Sequence, residues 1–254
     1  MGLFDFKKKD NKKIDEPAKQ SEKAPYYGDL VKTNILNELF KVSREQRDDK
    51  WNAKFLENVA DASFVCGNPQ VIEGPDGFPY FQLNIPEPYK KFQCFVIRHM
   101  KDDFLLDKGF GVAINPSKGQ PDWVFSYGDI VNYHIRNEFY TKSENWDLPK
   151  QEIIKEKEEV LLGQPSESIL PNQTRIVIRD FLKGIGLNDT KLLLMNRRKP
   201  NGFLQELVFN LTPDKFEKKE HYEGVMKSIA WYLPRHYSYV SMNESAFKDS
   251  FRPL

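Results

Sequence analysis

The chain of 254 residues has little cysteine and no excess of either charge. Its two cysteines, Cys66 and Cys94, lack the CxxC spacing typical of metal sites. We therefore expect buried free thiols, which suit a reducing compartment. The 38 basic and 37 acidic residues leave a net charge of +1, whereas nucleic-acid-binding proteins usually carry a clear basic excess. We expect no nucleic-acid partner.

Long apolar runs are absent as well. None approaches the ~20 residues that cross a bilayer. The first residues, MGLFDFKKK, have neither the apolar core of a signal peptide nor a Ser or Thr at position 6 for myristoylation. These absences predict a cytoplasmic protein. Hydrophobic residues still make up 39% of the chain and aromatic residues 13%, which is enough for a packed core.

The motifs of metal and phosphate sites are missing too. There is no HxH or HExxH spacing among the four histidines, His99, His134, His221 and His236. Neither a GxxxxGK[ST] loop nor a GxGxxG fingerprint is present. The Gly-Phe-Gly at 109–111 has too few glycines to cradle a phosphate, and we expect a close approach between strands there. We predict no cofactor and no metal.

A serine nucleophile is not expected in the run VLLGQPSESILP at 160–171. A hydrolase elbow needs small residues on both sides of the serine, as in Gly-x-Ser-x-Gly. Here Gly163 is misplaced by one position and Pro165 directly precedes Ser166. Ser166 or Ser168 is therefore predicted to act as a turn or capping residue for the following helix.

The N-terminal part divides into a tail and an α+β unit. Residues 1–25 carry many lysines and two prolines, which predicts a disordered charged tail. Residues 26–148 begin with two helices. The first has apolar positions at Leu30, Val31, Ile35, Leu39 and Phe40, and the second opens with a capping-box pattern at 43–46. Five β-rich runs follow between 63 and 125, namely FVCG, YFQLNI, FQCFVI, GFGVAI and WVF. Another capping box at 126–129 then opens a helix.

The C-terminal part has a clearer pattern. Residues 141–156 look like a linker, with a domain boundary near 148, and EEVLLG is a strand or an extended lead-in. In residues 149–254 an amphipathic helix with Pro171 near its start and Gly184 at its end precedes two strands joined by a turn at RRKPNG. A helix from Thr212 to Pro234 and the strand YSYVSM complete the order αββαβ. The fold class predicted is α+β, with two small mixed or antiparallel sheets, each covered by helices on one face.

Several longer segments resemble a known family. EVLLGQPSESILP and WYLPRHY are similar to the C-terminal domain of the SseB-like (enhanced serine sensitivity) family. PDGFPYFQLNI and GFGVAINPSKGQPDWVFSYGDIV resemble its N-terminal domain, so that the resemblance covers about residues 28–242. It implies a bacterial protein built from two α+β units, and it offers no active-site residues.

Aromatic and basic residues make up the candidate interaction surface. The aromatic segment at 123–140 is either a core helix over a sheet or an interface, and the basic cluster at 197–199 is either a solubilising turn or a docking point for a phosphate or an acidic partner. The aromatic segment at 123–140 and a basic cluster at a hairpin tip are its main parts, because aromatic and arginine side chains concentrate binding energy. His134 is interpreted as a helix residue paired with Glu138 at i, i+4. The candidate surface consists of Trp123, Tyr127, Tyr133, His134, Arg197, Arg198, Lys199, Trp231 and His236.

Three functions remain open. The first is a non-catalytic accessory protein that acts through contact with a protein partner. The second is a hydrolase-like enzyme whose site assembles between the two modules from Asp122, His134 and His99. The third is an accessory factor recruited to a membrane through Leu3, Phe4, Phe6 and the lysines that follow them.

Overall fold

The computed structural model describes residues 27–116, 119–142, 160–199, 202–247 and 249–254. The predicted tail at 1–25 and the predicted boundary near 148 lie outside the described residues. No helix in the described part of the chain is long and apolar enough to cross a bilayer.

The described part of the chain contains helices and short strands in consecutive groups. The helices are α1 (Leu30–Leu39), α2 (Asp49–Val59), α3 (Ile97–Met100), α4 (Leu106–Lys108), α5 (Tyr127–Arg136), α6 (Asn172–Gly184) and α7 (Lys219–Tyr232), with a π-helical turn at Lys101–Leu105 between α3 and α4. Turns of 3₁₀ helix lie at Arg44–Gln46, Pro213–Lys215 and Glu244–Phe247. The strands are β1 (Val65–Glu73), β2 (Pro79–Asn84), β3 (Gly111–Ile114), β4 (Trp123–Phe125), β5 (Val160–Gly163), β6 (Lys191–Lys199), β7 (Gly202–Phe209), β8 (Ser238–Ser241) and β9 (Arg252–Pro253).

The strands form two mixed sheets. In the first, with the order β1-β2-β3-β4, β1 and β2 form an antiparallel hairpin, and β3 runs parallel to β2 after the helical segment 97–108. In the second, with the order β5-β6-β7-β8, β6 and β7 form the hairpin, and β8 runs parallel to β7 after α7. β9 pairs with the start of β6. The predicted α+β class with two small mixed sheets is confirmed.

The two halves share the same order of elements. Each has a helix, a two-stranded hairpin, a helical crossover and a parallel third strand: α2, β1, β2, the 97–108 segment and β3 in one half, and α6, β6, β7, α7 and β8 in the other. A helical crossover is the usual connection between parallel strands because such strands cannot be joined by a tight turn.

One apolar core runs through both halves. The first sheet contributes Phe81, Leu83, Val112, Ile114 and Phe125, and the second contributes Leu192, Leu194, Leu207 and Phe209. The helices that cover the two sheets pack against each other, α4 against α6 and α5 against α7. The opposite face of the second sheet carries a small separate cluster, in which Phe251 and Phe247 from the C-terminal segment pack over Leu193, Met195 and Val208.

An ion pair between a buried carboxylate and a half-exposed arginine joins the halves where α5 meets the end of α7. The predicted capping box is present, with Ser126 Oγ accepting from the Asp129 amide and the Asp129 carboxylate accepting from the Ser126 amide. The Asp129 carboxylate is fully buried and also accepts two hydrogen bonds from Arg235, each 2.8 Å long. The Arg235 guanidinium lies 4.5 Å from the centre of the Tyr140 ring. Burial raises the pKa of Asp129, and the hydrogen bonds from Arg235 oppose that rise.

Two local predictions are wrong. The run FQCFVI does not form a strand: Phe95 makes only an isolated bridge with Phe64, and α3 begins at Ile97. In α1, Leu30 and Val31 are exposed, while the residues buried are Thr33, Leu36 and Leu39. The hydrophobic pattern therefore predicted the helix and the contacts of Ile35, Leu39 and Phe40 with the core, but not the exposure of its first turn.

Candidate functional site

Much of the predicted aromatic surface lies inside the core. Tyr127 is fully buried, and its hydroxyl donates to the Leu106 carbonyl at 3.0 Å. Tyr133 is also buried. Trp123 is half-buried and packs with its ring centre 4.6 Å from that of Phe55. Of the two interpretations of the segment at 123–140, the core helix therefore holds for Tyr127 and Tyr133, and their assignment to an interaction surface is wrong, because these side chains fill the space between packed elements.

Trp231 and His236 lie where the two halves meet. The Trp231 ring stacks on Phe78 with centres 4.2 Å apart, and its Nε1–H donates to the Tyr80 hydroxyl at 2.8 Å. His236 is half-buried against Tyr237, and its Nε2 has no hydrogen-bond partner among the described residues. Burial lowers the pKa of His236, and the charge of Arg136 lowers it further. Both side chains pack within the molecule rather than forming an open, flat surface.

The basic cluster divides between the two faces of β6. Arg197 was predicted to be exposed at a hairpin tip, but only 4% of it is exposed, and its Nε donates to Glu206 at 2.6 Å. The hairpin extends further than predicted, since Lys199 pairs with Gly202. Successive strand residues point to opposite faces, so the exposed Arg198 lies on the other face from Arg197.

His134 has a different partner from the one predicted. Its Nδ1 lies 2.8 Å from Asp102 Oδ1 in the π-helical turn, whereas Glu138 accepts from the Thr141 hydroxyl. Burial acts to raise the pKa of Asp102, but hydrogen bonds from Lys101 and His134 outweigh it, so that the pKa is lowered. His134 and Asp102 both remain well exposed to solvent.

The carboxylate proposed to act with His134 belongs to another network. Asp122 pairs with Arg47 at 2.8 Å and accepts from the Asn115 amide at 2.8 Å. The Arg47 guanidinium also lies over the Trp51 ring at 4.5 Å. This network ties the loop before β4 to the N-terminal helices. These contacts therefore place Asp122 and His134 in separate clusters.

Ser166 lies in a turn. Its hydroxyl is 2.8 Å from that of Ser168, and its carbonyl accepts from the amides of Ile169 and Leu170. Neither serine caps α6. Instead Glu167 accepts from the Asn172 amide at 2.9 Å. The turn was predicted correctly, but the side chain that receives the helix amide was not.

Two open depressions lie at one end of the second sheet. One, of about 210 Å³, is lined by residues 186–190 together with Leu211 and Lys215, and the other, of about 550 Å³, is lined by Lys191, Glu244, Ser245, Asp249, Phe251 and Arg252. Hydrogen bonds from Lys191 and Asn210 lower the pKa of Glu244. The charged groups here hold the loops together. Across the described ranges, no three His, Cys, Asp or Glu side chains are grouped to hold a metal ion.

An exposed sheet surface is the best candidate for binding. The face of the second sheet that packs in the core through Leu194 and Leu207 continues past the helices that cover it. There the side chains of Leu161 and Phe203 are 67% and 69% exposed. Leu161 pairs with Asn196, and Phe203 pairs with Arg198, two residues further along β6. The face also includes Gln205, whose amide donates to the Asn196 side chain at 3.2 Å. We call this surface, Leu161, Asn196, Arg198, Phe203 and Gln205, the hairpin face.

Comparisons with protein-family models, with curated proteins and with solved structures found no match to this chain. The function is therefore argued from the arrangement of its own residues.

Proposed function

We propose that the chain is a cytoplasmic, SseB-like accessory protein that binds a protein partner through the hairpin face and has no catalytic role. The supporting observation is the large exposure of Leu161 and Phe203 on a sheet. Apolar side chains held on a rigid sheet bind a partner with little loss of conformational entropy. The exposed Arg198 lies between them and adds a residue type that is enriched at interfaces.

The position of the hairpin face also supports binding. The same strands continue into the core, where the buried Leu194 and Leu207 pair with each other. The exposed ends of the strands are therefore held in place by the buried part of the sheet. A rigid anchor limits the rearrangement that binding requires. The partner that fits is a protein surface with an apolar centre and polar groups at its rim.

A comparative pull-down tests the proposal. The full chain and the Leu161→Ser/Phe203→Ser variant are used as baits in a cell lysate, with the Leu30→Ser/Tyr89→Asn variant as a control that also removes two exposed apolar side chains. Proteins captured by the full chain and the control but lost from the hairpin-face variant are purified. Their affinity is then measured by calorimetry.

We expect at least about tenfold weaker binding for the hairpin-face variant, because central apolar contacts dominate interfaces. Light scattering of the purified chain identifies the case in which the partner is a second copy. Capture that is equal for all three baits, or that is confined to proteins with no measurable affinity after purification, contradicts the proposal.

A further inference from the structure

A second exposed apolar surface lies on the first half, away from the hairpin face. Of the nine large apolar side chains exposed in the described residues, five belong to two short segments. They are Tyr27, Leu30 and Val31, which are 65% to 78% exposed, Phe92, which is 37% exposed, and Tyr89, which is fully exposed. We call this set, together with Lys90 and Lys91, the N-terminal patch.

Local contacts bring the two segments of the N-terminal patch together. The amide of Gly28 donates to Cys94 Sγ at 3.4 Å, so residues 27–31 at the start of α1 adjoin the end of the loop that carries residues 89–92. Tyr89 has a φ of +62°, which bulky side chains seldom adopt. A strained exposed aromatic residue of this kind motivates a functional explanation.

Lysines lie on the loop that carries residues 89–92 and in the sequence before Tyr27. Lys90 and Lys91 lie between Tyr89 and Phe92, and Lys90 forms an exposed ion pair with Glu87. Tyr27 is the first residue of the patch along the chain. The sequence before it contains Leu3, Phe4 and Phe6, followed by Lys7, Lys8, Lys9, Lys12 and Lys13. These apolar residues and lysines precede the patch in the same chain.

We propose that the N-terminal patch binds the surface of an anionic lipid bilayer. Tyrosine and phenylalanine favour the boundary between headgroups and acyl chains, and lysines close to the surface are attracted to anionic headgroups. One weak element seldom anchors a protein stably, whereas two together do. The patch supplies one such element, and the lysine-rich sequence that precedes it in the chain supplies a second.

Vesicle sedimentation tests this inference. The full chain is mixed with phosphatidylcholine vesicles containing about one third phosphatidylserine, an anionic lipid, and with vesicles of phosphatidylcholine alone. We expect the full chain to sediment with the anionic vesicles. The affinity for these vesicles is expected to fall at least about tenfold in the Leu30→Ser/Tyr89→Asn and Lys90→Glu/Lys91→Glu variants. The matched control, Leu161→Ser/Phe203→Ser, is expected to sediment like the unchanged chain.

Fluorescence of a conservative variant gives a second readout that does not depend on disrupting the patch. Tyr89→Trp is expected to show a blue shift on addition of anionic vesicles, beyond any shift of the unchanged chain, whereas Phe203→Trp is not. No sedimentation of the full chain overturns the proposal. Sedimentation that survives both patch variants, or a shift at position 203 but not at 89, overturns it too. Because the variants are separate, failure here leaves the protein-binding test of the hairpin face unaffected.

Discussion

At the scale of single residues, glycines decide how closely backbones approach. The expected close strand approach at 109–111 is confirmed at Gly111, where a Cβ atom would lie 2.6 Å from the Phe125 carbonyl oxygen. Gly128 is tighter still, since a Cβ there would lie 2.0 Å from the carbonyl oxygen of Leu233. Nothing in the sequence around Gly128 indicates this contact, because Leu233 comes from the other half.

We predict that Gly128→Ala lowers the free energy of unfolding by about 3 kcal/mol, because the added methyl group meets backbone that cannot move without separating α5 from the end of α7. The control is Gly224→Ala, at an exposed position of α7 with nothing near the added atom. It is expected to raise stability by roughly 0.5 to 1 kcal/mol. Urea unfolding measures both. Equal stabilities of the two variants would contradict the close approach.

At the scale of elements, helix starts were predicted with mixed success. The capping box at 126–129 forms, because its two side chains and two amides are local. The pattern at 43–46 forms only a 3₁₀ turn without a side-chain cap at Ser43, and α2 instead starts after Asp48. Asp48 accepts from the Trp51 amide at 2.8 Å. The residue whose amide Asp48 caps, Trp51, is buried in the core, so this helix start is also supported by tertiary packing.

Asp48→Ala is therefore expected to lower the free energy of unfolding by about 1 kcal/mol through loss of the N-cap. Ser43→Ala, at the cap predicted from sequence, is expected to change it by less than about 0.5 kcal/mol. Chemical denaturation of both variants makes the comparison. A larger loss for Ser43→Ala would show that the helix start lies at the earlier site.

At the scale of the whole molecule, the two halves are joined by charge as well as by apolar packing. Asp129 is buried and Arg235 is largely exposed, so the pair links the core of one half to the surface of the other. The pKa of Asp129 is raised by burial and held down by Arg235. Its folded state therefore binds a proton more readily than its unfolded state, whose pKa is about 3.9. Its contribution to stability falls as pH rises through the folded pKa.

Arg235→Ala removes the interaction that favours the charged form and raises the pKa of Asp129 further. We expect a loss of about 2 to 3 kcal/mol at about pH 8 and a smaller loss at about pH 5, where the carboxyl group can bind a proton. Urea unfolding at both pH values measures this. Adding Asp129→Asn should abolish the pH dependence of the loss. A loss that is the same at both pH values would refute the linkage.

The sequence alone was enough for the α+β class and the order of the long elements in the C-terminal half, because periodicity, caps and turn residues act over a few neighbours. Tertiary structure decided which apolar residues are buried, so that Tyr127 lies in the core while Leu30 and Val31 lie outside it. It also paired His134 with Asp102 and divided Arg197 from Arg198. These outcomes depend on contacts between residues far apart in the chain, where packing and desolvation override the local pattern.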